Sequence, residues 1–127
     1  MVTVDVVVIG AGPAGISTVL HLVQRNRSWA KRIIILEKNS HPRHKPCGGG
    51  VTQFGLQIMH NLGFELPLPL PQVAVKDAKL VFQEYTQEIR RQKPLFVVFN
   101  RCDFDAYLAE HTRQTGVEIH ENEHVLS

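Results

Sequence analysis

The chain has 127 residues, 43% of them hydrophobic and 20% charged, proportions that suit one ordinary globular domain with its own core. Its formal net charge of +2 is too small and scattered to indicate a nucleic-acid partner, and two cysteines, Cys47 and Cys102, are too few for a disulfide scaffold. No apolar run approaches the roughly 20 residues that cross a bilayer, and the N-terminus has no basic leader before Asp5 interrupts its apolar stretch, so a cytoplasmic location is expected.

Val2 to Ile9 is an almost continuous β-branched run, as expected of a strand covered on both faces within a parallel sheet. Gly10 to Gly15 supplies a tight turn. Ile16, Val19, Leu20 and Val23 then fall at the spacing of a helical stripe, and Arg25 to Ser28 ends that helix. Ile33 to Leu36 reads as a second buried strand with Glu37 at its C-terminal end, completing a βαβ unit. Lys38 to Thr52 is a long polar loop. Its densest basic stretch, His41 to Lys45 with Arg43 and His44, lies beside a glycine run and favours a phosphate-bearing small ligand over a polyanion.

A helix is expected from about Thr52, with Phe54, Ile58 and Leu62 on its core face and Gly63 at its end. Leu66 to Pro71 alternates leucine with proline and must be an extended connector. Two or three strands follow between Val73 and Phe99, the clearest being Leu95–Phe99. Asp103 is a candidate cap for a third helix that turns Phe104, Tyr107 and Leu108 inward and stops at Gly116; Val117 to Ile119 opens a last strand. The expected organisation is one domain over 1–127, incomplete, with a small β insertion at about 66–100. The fold class is α/β and Rossmann-like, a partial doubly wound parallel sheet with helices on both faces.

Gly10, Gly12 and Gly15 form a Gly-x-Gly-x-x-Gly series directly after a strand and at the start of a helix. Gly10 permits the tight turn. Gly12 lets a pyrophosphate approach the backbone, and Gly15 lets the helix pack closely on the strands. The diphosphate would rest on unpaired N–H groups at the positive helix end. Glu37 stands 22 positions after Gly15, near the roughly 20 expected of the acid that binds ribose hydroxyls. Spacing alone does not choose between NAD and FAD. His41, His44 and Cys47 do not make a metal site, because Pro42 and Pro46 break any regular helix that would align them and no fourth ligand is nearby.

The run Asp5 to Gly15, with Pro13 and Ala14 between the second and third glycines, resembles the first motif of the flavoprotein monooxygenase and geranylgeranyl reductase superfamily, in which the ligand is FAD. Glu37-Lys38 matches the strand-end acid of that group. His44-Lys45-Pro46-Cys47-Gly48-Gly49-Gly50 resembles the cysteine–glycine segment of the geranylgeranyl reductase branch, which implies that Cys47, Gly48 and Gly49 lie near the flavin. Asn100 to Leu108 resembles the family's Arg-x-x-Phe-Asp-x-x-Leu segment, which implies that Arg101 contacts the FAD phosphates or the neighbouring loop.

The resemblance implies a flavin-dependent oxidoreductase that reduces isoprenoid double bonds, with NAD(P)H as a candidate electron donor. An aromatic monooxygenase or halogenase of the same superfamily, or a non-catalytic nucleotide-binding remnant, is the alternative. No catalytic residue is identifiable. The family's later Gly-Asp motif and its substrate domain have no counterpart here, so the chain reads as a fragment or a truncated relative. As such it is expected to bind FAD weakly, to catalyse no turnover alone, and to leave an open edge beside the first strand.

Overall fold

The computed structural model describes residues 3–126. Two compact units make up the chain, one formed by Met1–Lys45 with Arg101–Ser127 and the other by Pro46–Asn100.

In the first unit, strand β1 (Val6–Ile9) is followed by helix α1 (Pro13–Arg25), a short 3-10 turn (Arg27–Lys31) and strand β2 (Ile33–Glu37). β1 starts later than its β-branched run. The N–H groups of Asp5 and Val6 both donate to the carbonyl of Arg32, and the Asp5 carboxylate pairs with Arg32 Nε at 2.5 Å, so the ladder proper begins at Val6. Val2 lies outside the described residues. The expected stripe is the buried one: Ile16, Val19, Leu20 and Val23 are all in the core. Burial of such side chains is worth about 1.5–3 kcal/mol each, which holds α1 on the sheet.

Two further elements complete this unit, helix α3 (Arg101–Gln114) and strand β8 (Glu118–Glu121). β8 pairs in parallel with β2, giving the order β1-β2-β8, the first half of a doubly wound sheet. Gly116, at φ +91°, turns the chain out of α3 as expected. Asp103 is not the cap of this helix: it already lies in the first turn, since α3 begins at Arg101.

The expectation that β1 is covered on both faces is corrected. Val7 and Ile9 are 49% and 69% exposed, whereas Ile33 and Ile35 on the opposite face are buried. The reason is topological. β1, β2 and β8 advance in one direction, and successive right-handed crossovers stepping the same way place their helices on one face. α1 and α3 accordingly pack against each other rather than across the sheet. Within the described residues β1 is also an edge strand, with β2 as its sole partner.

The second unit opens with strand β3 (Gly50–Thr52), within the stretch expected to be a polar loop, and helix α2 (Gln53–Asn61). Thr52 caps α2, its hydroxyl accepting from the Gly55 N–H at 3.2 Å. Of the face expected to be buried, Ile58 and Leu62 are half-buried and Phe54 is 75% exposed, while Met59 is the buried residue of the helix. Four strands rather than two or three follow: β4 (Gln72–Val75), β5 (Asp77–Phe82), β6 (Tyr85–Arg90) and β7 (Phe96–Phe99). β7 lies between β3 and β4 in an antiparallel sheet, while β5 and β6 form a separate hairpin.

Candidate cofactor site

The carboxyl ends of β1, β2 and β8 bring together the glycine turn, Glu37 and Glu121, the edge of a parallel sheet where ligands bind in open α/β folds. Gly10 adopts φ +99°, a conformation that favours glycine, and its N–H donates to the Leu36 carbonyl at 2.8 Å. A Cβ on Gly15 would lie 2.1 Å from the Gly10 carbonyl oxygen, so Gly15 is what lets α1 approach the turn. Gly12 stands at the helix cap with Pro13 at the first position. A Cβ on Gly12 would meet only the Arg43 guanidinium, at 3.6 Å. α1 has no acidic residue in its first turn and no side-chain cap. Ala14 is exposed on the first turn.

Glu37 is buried at the end of β2. One carboxylate oxygen accepts from the Ala11 N–H at 2.9 Å and the other from the Asn39 N–H at 3.1 Å. The acid is therefore built into the glycine turn, tying β2 to the segment that follows β1. Burial by itself pushes this carboxyl up, but the two backbone hydrogen bonds and the charges of Arg43 and His41 outweigh it and hold the group below its ordinary value of 4.5. Lys38, next in sequence, is exposed.

The loop after β2 folds back over this edge. His41 is pinned to β8: its N–H donates to Glu121 Oε1 at 3.1 Å, and its Nδ1 lies 2.8 Å from the same oxygen. Arg113 of α3 donates to that oxygen as well, at 2.7 Å. Burial pushes Glu121 up, while His41 and Arg113 more than reverse this and leave it below 4.5. Two residues on, Arg43 spans two carboxylates, with Nε 3.5 Å from Glu37 and Nη1 3.2 Å from Asp105. Asp105 is fully buried and receives both Nε and Nη2 of Arg101, at 2.7 and 2.9 Å.

Arg101 is thus no surface charge; it is held in a bidentate pair one helical turn from its partner. Asp105 is the aspartate of the Arg-x-x-Phe-Asp-x-x-Leu segment, where the resemblance implies a role for Arg101 alone; its spacing from Arg101 is the helical i, i+4 relation. Cys47, Gly48 and Gly49 belong to the second unit. There Gly49 takes φ +71°, and a Cβ on it would lie 2.0 Å from the Phe99 carbonyl oxygen, so close packing on β7 already requires a glycine. A Cβ on Gly48 would meet nothing within 4 Å, and Cys47 is exposed.

A testable consequence concerns acid stability. Glu37 and Glu121 release their protons more readily folded than unfolded, so their stabilisation is complete above about pH 4.5 and is lost as pH falls through the lowered folded values. The urea midpoint should hold from neutrality to about pH 5 and fall below it. Glu37→Gln should flatten that acid limb. An acid limb unchanged in this variant would show that Glu37 carries none of the pH dependence.

A helix end without a side-chain cap, a turn position without a Cβ, an adjacent guanidinium and a strand-end acid fit the diphosphate and ribose of a dinucleotide. Over residues 3–127 the sequence matches the family described as FAD binding domain. The chain belongs to that family. FAD is accordingly its cofactor, and the α/β flavoprotein fold expected from the glycine motif is the fold observed. The FAD-binding domain is 30% identical to an uncharacterised protein of Methanosarcina barkeri over 115 residues, covering 88% of this chain and 27% of that protein. Among solved structures it resembles a flavoprotein/dehydrogenase from Cytophaga hutchinsonii, with TM-score 0.74 and 24% identity over 98% of this chain and 31% of that one. It also resembles a geranylgeranyl bacteriochlorophyll reductase-like protein from Thermoplasma acidophilum, with TM-score 0.73 and 20% identity over 94% of this chain and 30% of that one. At these identities the structural likeness is one of fold. The chain spans less than a third of each relative. No helix among the described residues is long and apolar enough to cross a membrane.

Proposed function

We propose that this FAD-binding domain serves a flavin-dependent oxidoreductase of the geranylgeranyl reductase-like kind, which reduces isoprenoid double bonds. The observation that carries this reading is the segment His44 to Gly50, whose Cys47-Gly48-Gly49-Gly50 run follows the pattern of that branch. The fold shared with the Thermoplasma acidophilum protein supports it.

In this reading Gly10, Gly12, Pro13, Ala14 and Gly15 seat the diphosphate, and Glu37, with Lys38 beside it, serves the ribose hydroxyls. Glu37 retains acceptor capacity for this, because each of its oxygens takes one backbone N–H and a carboxylate oxygen has two lone pairs. Cys47, Gly48 and Gly49 serve the flavin side. When bound, FAD supplies the two-electron chemistry, with NAD(P)H as the electron donor; the chain's residues bind and orient it. The cytoplasm is the proposed compartment and an isoprenoid the proposed substrate.

The test is to supply the purified oxidoreductase that contains this domain with FAD and NADPH or dithionite, and to offer geranylgeranyl-bearing lipids alongside aromatic substrates. Mass spectrometry should find hydrogen added across isoprenoid double bonds. Oxygen-dependent hydroxylation or halogenation of an aromatic substrate, with the isoprenoids untouched, would overturn the reading.

A further inference from the structure

The loop after β2 has no ladder of its own. Residues 38–45 form neither helix nor strand, and among the described residues their backbone groups bond to no other backbone group. Such a segment is placed by side chains, and two consecutive residues at the end of β8 supply them. Glu121 Oε1 accepts from the His41 N–H at 3.1 Å and lies 2.8 Å from His41 Nδ1. Arg113 donates to the same oxygen at 2.7 Å, which steadies the carboxylate from α3. Asn122 follows at φ +62°, a conformation asparagine adopts more readily than most residues, and its Oδ1 accepts from the Ser40 hydroxyl at 3.0 Å. The Glu123 N–H then donates to the Glu37 carbonyl, at 3.0 Å. Three successive residues thus hold His41, Ser40 and the end of β2.

The held loop bears on Glu37. One oxygen of that acid accepts from the Asn39 N–H at 3.1 Å, and Arg43 Nε lies 3.5 Å from it; the other accepts from Ala11 in the glycine turn. Arg43 has a separate hold on α3, through Asp105 and the Cys102 thiol. Asn39 and His41 stand on the side of the loop that β8 fixes, so opening that contact frees them first.

We infer that the end of β8 is a clasp for the loop after β2, and that Glu121 is a positioning residue for FAD, acting through His41 to keep Asn39 on Glu37. The inference rests on the reading that Glu37 serves the ribose hydroxyls. A carboxylate held by one amide on each oxygen keeps its remaining lone pairs aimed in a fixed direction. Freed on one side it rotates, and binding must then order it.

The same contacts set how the effect varies with pH. Burial pushes the Glu37 carboxyl up, while the Ala11 and Asn39 N–H groups, Arg43 and His41 hold it down. The other charged groups at this edge are Asp105 and Arg101, behind Arg43, and Arg113, behind Glu121. With the clasp open, Asn39 and His41 no longer act on Glu37, and only Ala11 and Arg43 oppose burial. Glu37 then takes up its proton at a higher pH than in the parent and presents fewer acceptor sites to a hydroxyl.

The test titrates FAD against the parent and variants between about pH 8 and about pH 5, with folding followed by circular dichroism. Glu121→Ala should weaken FAD binding about ten-fold at neutral pH, and its affinity should decline on acidification earlier than the parent's. Glu121→Gln keeps an acceptor for His41 and should recover most of the affinity. His41→Ala should reproduce Glu121→Ala, and the double variant should lose no more than His41→Ala alone, because one contact is broken in all three. His41→Ala leaves Glu121 with Arg113 and carries the same test if Glu121→Ala does not fold. Variants that lose urea stability yet bind FAD with the parent's affinity and pH profile make Glu121 merely structural and overturn the inference, as do additive losses in the double variant. A parent that does not bind FAD overturns the FAD reading itself and is told apart by the parent titration alone.

Discussion

Gly15→Val should destroy the cooperative unfolding transition of the first unit, whereas Gly12→Val should fold and fail to bind FAD. The two glycines lie one helical turn apart, and what surrounds them differs. At position 15 a Cβ would stand 2.1 Å from the Gly10 carbonyl oxygen and 3.2 Å from Val8 Cγ1. Both obstacles belong to the turn and to β1, so neither can swing aside as a flexible side chain would. Relief requires α1 to move away from the sheet, uncovering Ile16, Val19 and Leu20. Overpacking in a core typically costs about 1–3 kcal/mol, and the lost helix burial adds to that against a total stability of roughly 5–15 kcal/mol.

At position 12 the only neighbour an added Cβ would have within 4 Å among the described residues is Arg43 Nη2 at 3.6 Å, ordinary contact distance, and the backbone sits at φ −81°, which valine adopts freely. The fold has no reason to object. The diphosphate does, because the valine methyl groups would fill the space between the helix end and the guanidinium. Urea unfolding followed by circular dichroism, together with FAD titration, separates the two cases. A stable Gly15→Val protein, or a Gly12→Val protein that binds FAD as the parent does, would contradict the respective half.

The second large effect is expected at Asp105. This carboxylate is fully buried and bonded to Arg101 and Arg43, whose side chains are 15% and 10% exposed. Asp105→Ala leaves two guanidinium groups in a part-buried place with no shared counter-charge. Removing one partner of a buried ion pair costs about 3–5 kcal/mol, since the remaining charge keeps its desolvation penalty and loses its compensation. Asp105→Asn keeps an acceptor oxygen and should cost less. The urea midpoint should therefore fall in the order parent, Asn, Ala. An Asp105→Ala protein with the parent's midpoint would show that the arginines relax into solvent without penalty.

Much of the nucleotide-binding unit was legible from local pattern. The β-branched runs, the 16-19-20-23 stripe and the spacing from Gly15 to Glu37 are each decided by neighbours in the chain: side-chain periodicity, helix dipole and turn sterics act over a few residues. For the same reason the start of α2 was found at Thr52, where a cap needs only a hydroxyl and an N–H three residues on.

Tertiary structure decided the rest. Which face of the sheet is covered depends on the order β1-β2-β8, and no single strand encodes it: Val7 and Ile9 are as apolar as Ile33 and Ile35, yet lie on the side that α1 and α3 leave open. Phe54 reads as a core residue by spacing, yet it stands 75% exposed in the first turn of α2. Arg43, a basic residue in a polar loop, acquires its setting only when packing of α3 against α1 brings Asp105 beneath it and Glu121 anchors His41. Charges far apart in sequence interact strongly only once folding brings them within a few ångströms and excludes the water that would screen them.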